Sequence, residues 1–302
     1  MTRVLVFGVT GFLGRHVAAA FAGRPGTEVV TAGRRPGPGG VDHQVDLATA
    51  GPAAMADLVR AVAPDAVVNC AGVTGTDPVE LVSGNVVAVA TVLSALHRTG
   101  FGGRFVHLGS AAEYGITPPG VAVTERTPTA PTSPYGVTKL AGTALALAAR
   151  DELDVTVLRV FNPIGPGASE NQLAGRLVAQ LRRARATGEP ATVGALDGHR
   201  DLIDARDVAT AVVAAATTGD GLPGVLNVGS GRATALRELA AAAADAAGCP
   251  PVRETGAGSP HSASLTWQRA DITVTSAVLG WQPAIDVAAS VADMWHAAEV
   301  PA

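Results

Sequence analysis

Five short runs rich in β-branched residues, Val4–Phe7, Glu28–Ala32, Ala66–Asn69, Arg104–Leu108 and Val155–Phe161, alternate with stretches rich in alanine and leucine. Those stretches, Phe12–Ala22, Pro52–Val62, Pro78–Arg98 and Pro134–Arg150, are long enough for helices and carry apolar residues at helical spacing. The strand runs are apolar on both faces, as parallel strands covered by helices must be. Strand–helix alternation of this kind predicts an α/β fold built on a doubly wound parallel sheet.

After Phe161 the rhythm changes. Residues 162–167 read Asn-Pro-Ile-Gly-Pro-Gly, a turn-rich break. Beyond it the pattern predicts a helix over about 172–187, a short strand near 191–193 and a helix beginning near Asp204. A strand at Val225–Val228, a helix at Ala235–Ala247, a loop-rich stretch to Trp267 and a last helix at Val287–Glu299 follow. Residues 1–162 are expected to form the sheet domain, with about 204–229 returning to it. Residues 163–302 are expected to form a smaller, interleaved α/β substrate domain.

Composition narrows the class. With 47% hydrophobic and 16% charged residues over 302 positions, wholesale disorder is excluded. A net charge of −4 offers no basic surface for nucleic acid or an anionic membrane. Two cysteines, Cys70 and Cys249, cannot build a disulfide framework and fit a reducing compartment. Glycines interrupt the first apolar stretch and Arg15-His16 follow it, against a signal peptide. No run of 18 uninterrupted apolar residues occurs, so no membrane span is expected and the chain reads as cytoplasmic.

Gly8-Val9-Thr10-Gly11-Phe12-Leu13-Gly14 follows the first strand and opens the first helix. Glycines three apart allow a tight turn and bring backbone N–H groups close to a pyrophosphate at a helix N-terminus. An ordinary strand–helix turn needs fewer glycines. In this context the motif predicts a dinucleotide-binding Rossmann sheet. The second strand ends in Gly33-Arg34-Arg35, where an NAD site usually carries an acid for the ribose hydroxyl. A planar guanidinium suits a 2′-phosphate, so NADP(H) is favoured over NAD(H); a solvated arginine pair is the competing reading. Asp46-Leu47 follow the next short segment, where an acid could meet the adenine amine.

Of 22 basic residues only Lys139 is lysine. A bias toward arginine explains the scarcity but not the location. Lys139 stands four residues after Tyr135, one of only two tyrosines, at a predicted helix start. Positions i and i+4 share a helix face, so a phenol and an ammonium project together. The cation favours phenolate and is expected to lower the tyrosine pKa, which suits alcohol–ketone proton transfer. A guanidinium at 139 would not fit the same space. Ser110, just after the fourth strand, can hydrogen-bond and polarise a carbonyl.

The glycine motif, Asn69-Cys70-Ala71-Gly72, Asn85, Gly109-Ser110-Ala111-Ala112-Glu113-Tyr114-Gly115 and Tyr135-x-x-x-Lys139 resemble the extended short-chain dehydrogenase/reductase family, of the NAD-dependent epimerase/dehydratase type. So do residues 159–167, 194–201, Asn227-Val228-Gly229-Ser230-Gly231 and Leu279-Gly280-Trp281-Gln282-Pro283, which extends the likeness over essentially the whole chain. Within the family the motifs are most similar to nucleotide-sugar ketoreductases. The resemblance implies Tyr135 as acid/base, Lys139 as holder of the nicotinamide ribose and Ser110 as carbonyl orienter. It places Gly8, Thr10, Gly11, Phe12, Leu13, Gly14, Arg34, Asp46, Leu47, Ala71, Gly72 and Asn85 with the cofactor, Asn85 by supporting the helix beneath the site. It places Thr74, Ala111, Asn162 and Arg200 with the substrate, Arg200 against a diphosphate, and implies a homodimer through the helices near 78–98 and 134–150.

One departure is visible. Only Val73–Asp77 separate Gly72 from the helix bearing Asn85, where such enzymes carry a longer pocket-lining segment. The implied function is NADPH-dependent reduction of a keto group on a nucleotide-activated deoxyhexose, in sugar or natural-product biosynthesis. Reduction of a polyketide or antibiotic aglycone ketone, or an epimerase or decarboxylase retaining NAD, are the alternatives. A non-enzymatic dinucleotide sensor would not need a proton donor.

The other candidates read blandly. Tyr114 is expected at the pocket edge. The histidines at 16, 43, 97, 107, 199, 261 and 296 show no metal-ligand pairing, and His107 reads as a satisfied core residue. Cys70 reads as a small buried hydrophobe. Gly109-Ser110-Ala111 lacks the setting of a nucleophile elbow. Trp267, Trp281 and Trp295 read as C-terminal core.

Overall fold

The computed structural model describes residues 1–37, 39–219, 221–256 and 266–297. His261 and the end of the expected last helix at Glu299 lie outside them. Seven strands form one parallel sheet: β1 (Thr2–Phe7), β2 (Thr27–Gly33), β3 (His43–Gln44), β4 (Ala66–Asn69), β5 (Arg104–Ser110), β6 (Asp154–Val160) and β11 (Val225–Val228). Their order is β11-β6-β5-β4-β1-β2-β3. The winding reverses between β1 and β4, and ligands of open α/β sheets bind in the crevice beyond such a switch point. Register fixes what meets there. Phe7 lies beside Ala32 of β2 and Asn69 of β4, so Gly8, Gly33 and Cys70–Gly72 emerge together at one edge.

Helices cover both faces. α1 (Phe12–Ala22) and α7 (Ala205–Thr217) bury Val17, Phe21, Val208 and Val212 against Val4, Val6, Val68 and Val106. On the opposite face, α2 (Pro52–Val62), α4 (Ala88–Thr99) and α5 (Pro134–Ala148) bury Met55, Val59, Val92, Leu96 and Ala146 against Leu5, Val67 and Phe105. Each fully buried Val, Leu or Phe contributes roughly 1.5–3 kcal/mol. Exposed ion pairs such as Arg60–Asp57 contribute about 0–1 kcal/mol, so these two layers hold the sheet.

The expected single helix from Pro78 has an irregular middle. α3 (Pro78–Val82) and α4 are joined by a π-helical turn, Ser83–Val87. Asp77 caps the start by accepting hydrogen bonds from the Val79 and Glu80 amides. The extra residue of the π turn directs Asn85 inward, which a uniform α-helix would place differently. The joined helix Pro78–Thr99 is long and apolar enough to cross a membrane by length and composition, although half of that stretch is buried inside the protein.

After β7 (Pro163–Ile164) the chain builds a second layer: α6 (Leu173–Thr187), β8 (Thr192–Val193), β9 (His199–Arg200) and β10 (Ile203–Asp204). It returns to the sheet with α7 and β11, then adds β12 (Thr234–Ala235), α8 (Leu236–Ala247) and β13 (Arg253–Glu254). Leu177, Leu181, Leu239 and Trp295 form the core of this second layer. The helices Thr273–Leu279 and Val287–Ala297 close the described chain. Two of the expected core tryptophans are buried, Trp281 beneath α7 and Trp295 beneath α6 and α8. Trp267 is not; it is half-buried between exposed Thr266 and buried Gln268, with the Arg269 guanidinium 5.9 Å above its ring.

Candidate active site

The turn after β1 is defined by what it cannot accommodate. Gly8 has φ +78°, and a Cβ there would stand 2.5 Å from the Ala71 amide nitrogen. A Cβ at Gly14 would stand 2.0 Å from the Gly8 carbonyl oxygen. The β1 and β4 turns therefore pack back to back, with the N-terminus of α1 facing the crevice and no acid in its first turn. The first-turn amides of a helix lack intrahelical partners and favour an anion. This cradle fits the pyrophosphate of a dinucleotide.

Around it the cofactor-side residues separate into groups. Thr10 lies beneath the loop carrying Gly37, and Phe12 and Leu13 begin α1, with Leu13 packed against the core. Arg34 is exposed, and its backbone carbonyl accepts a hydrogen bond from the Gln44 side chain. Asp46 Oδ1 accepts from the Ala48 amide. The Leu47 side chain is buried in the α2 layer, which leaves its backbone as the part that could meet a cofactor. Asn85 lies beneath the site. It is buried, its Oδ1 accepts from the Val73 amide, and its Nδ2 donates to the Val73 carbonyl and the Thr138 hydroxyl. It clamps the short 73–77 loop to α5, the helix that carries Tyr135 and Lys139.

The other half of the site is a cavity of about 490 Å³ between the sheet edge and the second layer. Ser110, Tyr135, Thr74, Ala111, Asn162 and Arg200 all line it. Ser133 caps α5 through the Gly136 amide with Pro134 in the first turn, and this fixes the helix start that presents Tyr135. The Ser110 hydroxyl and the Tyr135 phenol stand together on the cavity wall. Lys139, one turn on, is buried and donates to the Leu108 carbonyl at 2.5 Å. Burial lowers its pKa, while the Glu113 carboxylate raises it.

The phenol does not follow the sequence expectation. Burial pushes the Tyr135 pKa up; the Ser110 hydrogen bond lowers it and the Glu113 carboxylate raises it. The ammonium is engaged by Leu108 and does not reverse the effect of burial. Tyr135 is thus held in its protonated form, ready to give a proton.

Asn162 donates to the Asp201 carbonyl and to Gln268 Oε1, and Gln268 Nε2 donates in turn to the Ala111 carbonyl. Gln268 is a cavity residue with no local sequence signal, since its partners lie more than 100 positions away. Arg200 is only 8% exposed, and its Nη1 donates to the His199 carbonyl. Burial lowers its pKa. Among the described residues no Asp or Glu lines the cavity. Its ionisable groups are one phenol and one guanidinium.

Two bland expectations, for Tyr114 and His107, are corrected. Tyr114 is in the interior rather than at the pocket edge. Its hydroxyl donates to Asn227 Oδ1 at 2.7 Å and the Arg159 guanidinium lies 4.6 Å from its ring centre. His107 is only half satisfied. Asn69 Oδ1 accepts from the Ala71 amide, so its Nδ2 donates to His107 Nδ1, which leaves the proton of the neutral ring on Nε2, buried and without a partner. Burial first, and Lys139 second, keep that ring neutral. Cys70 is half-buried against the core, and burial raises its thiol to about 12.

A sequence model of the NAD dependent epimerase/dehydratase family matches residues 4–229, three quarters of the chain. The chain belongs to that family. It is an NAD(P)-dependent enzyme of the extended short-chain dehydrogenase/reductase type. The dTDP-6-deoxy-L-talose 4-dehydrogenase (NAD(P)(+)) of Kitasatospora kifunensis is 34% identical, over 98% of this chain and 95% of that protein. The GDP-6-deoxy-D-mannose reductase of Pseudomonas aeruginosa is 31% identical, over 81% and 80%. Among solved structures, RMD from Pseudomonas aeruginosa complexed with NADPH superposes with a TM-score of 0.85 at 28% identity, covering 98% of this chain and 99% of that one. MoeE5 in complex with UDP-glucuronic acid and NAD gives 0.84 at 29%, covering 98% of each.

Proposed function

We propose that this member of the epimerase/dehydratase family reduces the keto group of a nucleotide-activated deoxyhexose with NADPH. The observation that carries the reading is the cavity's ionisable content, one phenol beside a serine and one buried guanidinium, with no carboxylate among the described lining residues. A single proton donor serves carbonyl reduction, whereas eliminating water from a sugar requires a further acid or base. The lone guanidinium complements a diphosphate, and anionic charge would stabilise it where burial does not. The two relatives act, by name, on dTDP- and GDP-linked 6-deoxyhexoses, which supports the substrate class.

When bound, the dinucleotide supplies the hydride. Ser110 holds the substrate oxygen, and Tyr135 donates the proton to that oxygen as it gains charge. Lys139 holds the ribose and, through its cation, replaces the lost phenol proton's charge. The α1 N-terminus suits the pyrophosphate of either dinucleotide, and the exposed Arg34, a candidate partner for a 2′-phosphate, supports NADP(H). The exposed Val79, Val82, Val87, Val137 and Leu145 lie on α3, the π turn and α5 and support a homodimer through that face.

The test is NADPH oxidation with a panel of nucleoside-diphosphate 4-keto-6-deoxyhexoses. Turnover with at least one is expected, and Tyr135→Phe should cost about 10²–10⁴-fold in kcat with NADPH binding retained. No turnover with any member, or stoichiometric NAD⁺ released on denaturation, would overturn the reading in favour of an aglycone reductase or an epimerase.

A further inference from the structure

Glu113 is not needed for any step above, yet it is fully buried beside the catalytic set. Its Oε1 accepts from the Ser110 amide at 2.8 Å and from the Thr143 hydroxyl at 3.0 Å, and its Oε2 accepts from Arg159 Nε at 2.8 Å. Thr143 follows Lys139 by four residues and Tyr135 by eight, so all three lie along one face of α5. We propose that Glu113 is a positioning residue: one carboxylate ties strand-borne Ser110 to the α5 face bearing Tyr135 and Lys139, and sets the charge these groups experience. This rests on the reading of Tyr135 as the proton donor.

All three of its partners are donors, an amide N–H, a hydroxyl and a guanidinium N–H. An acceptor-only anion satisfies them together; an amide in its place would turn an NH₂ toward one of them. The strand makes room for it. A Cβ on Gly109 would stand 2.7 Å from Glu113 Oε1, so the residue before Ser110 has to be glycine for the carboxylate to reach the serine amide.

The surrounding charges define the electrostatic part. Tyr135 faces Ser110 and Glu113 from β5 and the turn after it, Lys139 on its own helix, and Arg200 across the cavity. Lys139 faces Glu113, Cys70 from β4 and His107 from β5. Glu113 faces Arg159 from β6 and, through it, Tyr114. Within this set Glu113 opposes phenolate at Tyr135 and supports the ammonium at Lys139. Removing its charge should ease ionisation of the phenol.

The chain has two tyrosines, so tyrosinate absorbance can be followed against pH without substrate, with Tyr135→Phe identifying which transition belongs to residue 135. Three variants are compared with wild type: Glu113→Gln, Glu113→Gln/Arg159→Gln and Thr143→Val. The double variant leaves no uncompensated guanidinium, so it is the control for folding. Glu113→Gln and the double variant should both move the Tyr135 transition to lower pH by about half a unit or more. Reductive kcat should fall about tenfold with NADPH affinity within about threefold of wild type. Thr143→Val keeps the charge and loses one tie; it should lower kcat without moving the transition. An unmoved Tyr135 transition in the folded double variant would overturn the proposal, whatever the substrate proves to be. A Tyr135→Phe enzyme whose kcat stays within about tenfold of wild type would overturn both the proposal and the function it rests on.

Discussion

Replacing Arg200 by methionine should make the protein more stable and the enzyme worse. The guanidinium is 8% exposed, has one hydrogen bond to the His199 carbonyl, and has no carboxylate among the described cavity-lining residues. Leu202, Leu236 and Leu239 line the same cavity, so a methionine stem finds apolar partners. A buried charged group without a counter-charge costs several kcal/mol in a dry interior. Here the cavity hydrates one side, so removing it is expected to stabilise the fold by about 1 kcal/mol, a rise of roughly 2–4 °C in Tm for a chain of this order of size. In binding the sign reverses. One lost hydrogen bond to a charged oxygen costs about 1.5–3 kcal/mol. That corresponds to about 10- to 150-fold in KM for the nucleotide-linked substrate. Because Ser110, Tyr135 and Lys139 are untouched, kcat should change far less. The assay pairs a thermal melt with steady-state kinetics at saturating NADPH. A variant with lowered Tm and unchanged KM would refute the reasoning, for it would show that Arg200 is a structural cation and not a waiting anion ligand.

Further outcomes follow from the same geometry. Ketone reduction needs Tyr135 protonated, and burial raises its pKa above a phenol's ordinary value. Reductive kcat should therefore stay level through neutral pH and fall only on the alkaline side, while the reverse oxidation, which needs phenolate, should rise with pH; a reductive rate already falling between about pH 6 and 8 would contradict this. Arg34→Ser should raise KM for NADPH by about tenfold or more and leave that for NADH little changed, measured with the same ketone. Gly142→Ala adds a Cβ 2.5 Å from the Asn85 carbonyl oxygen, backbone that cannot swing aside. It should cost about 1–3 kcal/mol in urea unfolding.

How much of this was legible depended on range along the chain. The sheet strands were readable because burial on both faces leaves long apolar runs, and β4 and β11 begin and end where the sequence placed them. β3 has two residues and the helix at Thr273 seven, too short for any period to register. The π turn preserves an apolar helical pattern while shifting its phase, so Asn85 was recognisable in sequence but not the Val73 and Thr138 partners that occupy it. Tyr135 and Lys139 were visible as a pair because i and i+4 share a face. Glu113 had a local sign, the Ser-x-x-Glu spacing of a capping box, but its bonds to Thr143 and Arg159 span 30 and 46 residues. Aromatic residues misled most. Composition predicts that tyrosine and tryptophan are buried somewhere, and only tertiary packing decides that Tyr114 lies inside while Trp267 lies partly outside.

The solitary lysine also makes the catalytic helix an internal gauge. A protease that cuts only after lysine finds one target in this sequence, and that bond lies in the middle of α5 with its side chain buried against Leu108. Cleavage therefore requires α5 to open, and under conditions where reclosing outpaces cutting the rate reads the free energy of that opening. The same digestion, repeated with dinucleotide present, reports how firmly the ligand pins the helix, residue by residue at a single place, without a label or an introduced mutation.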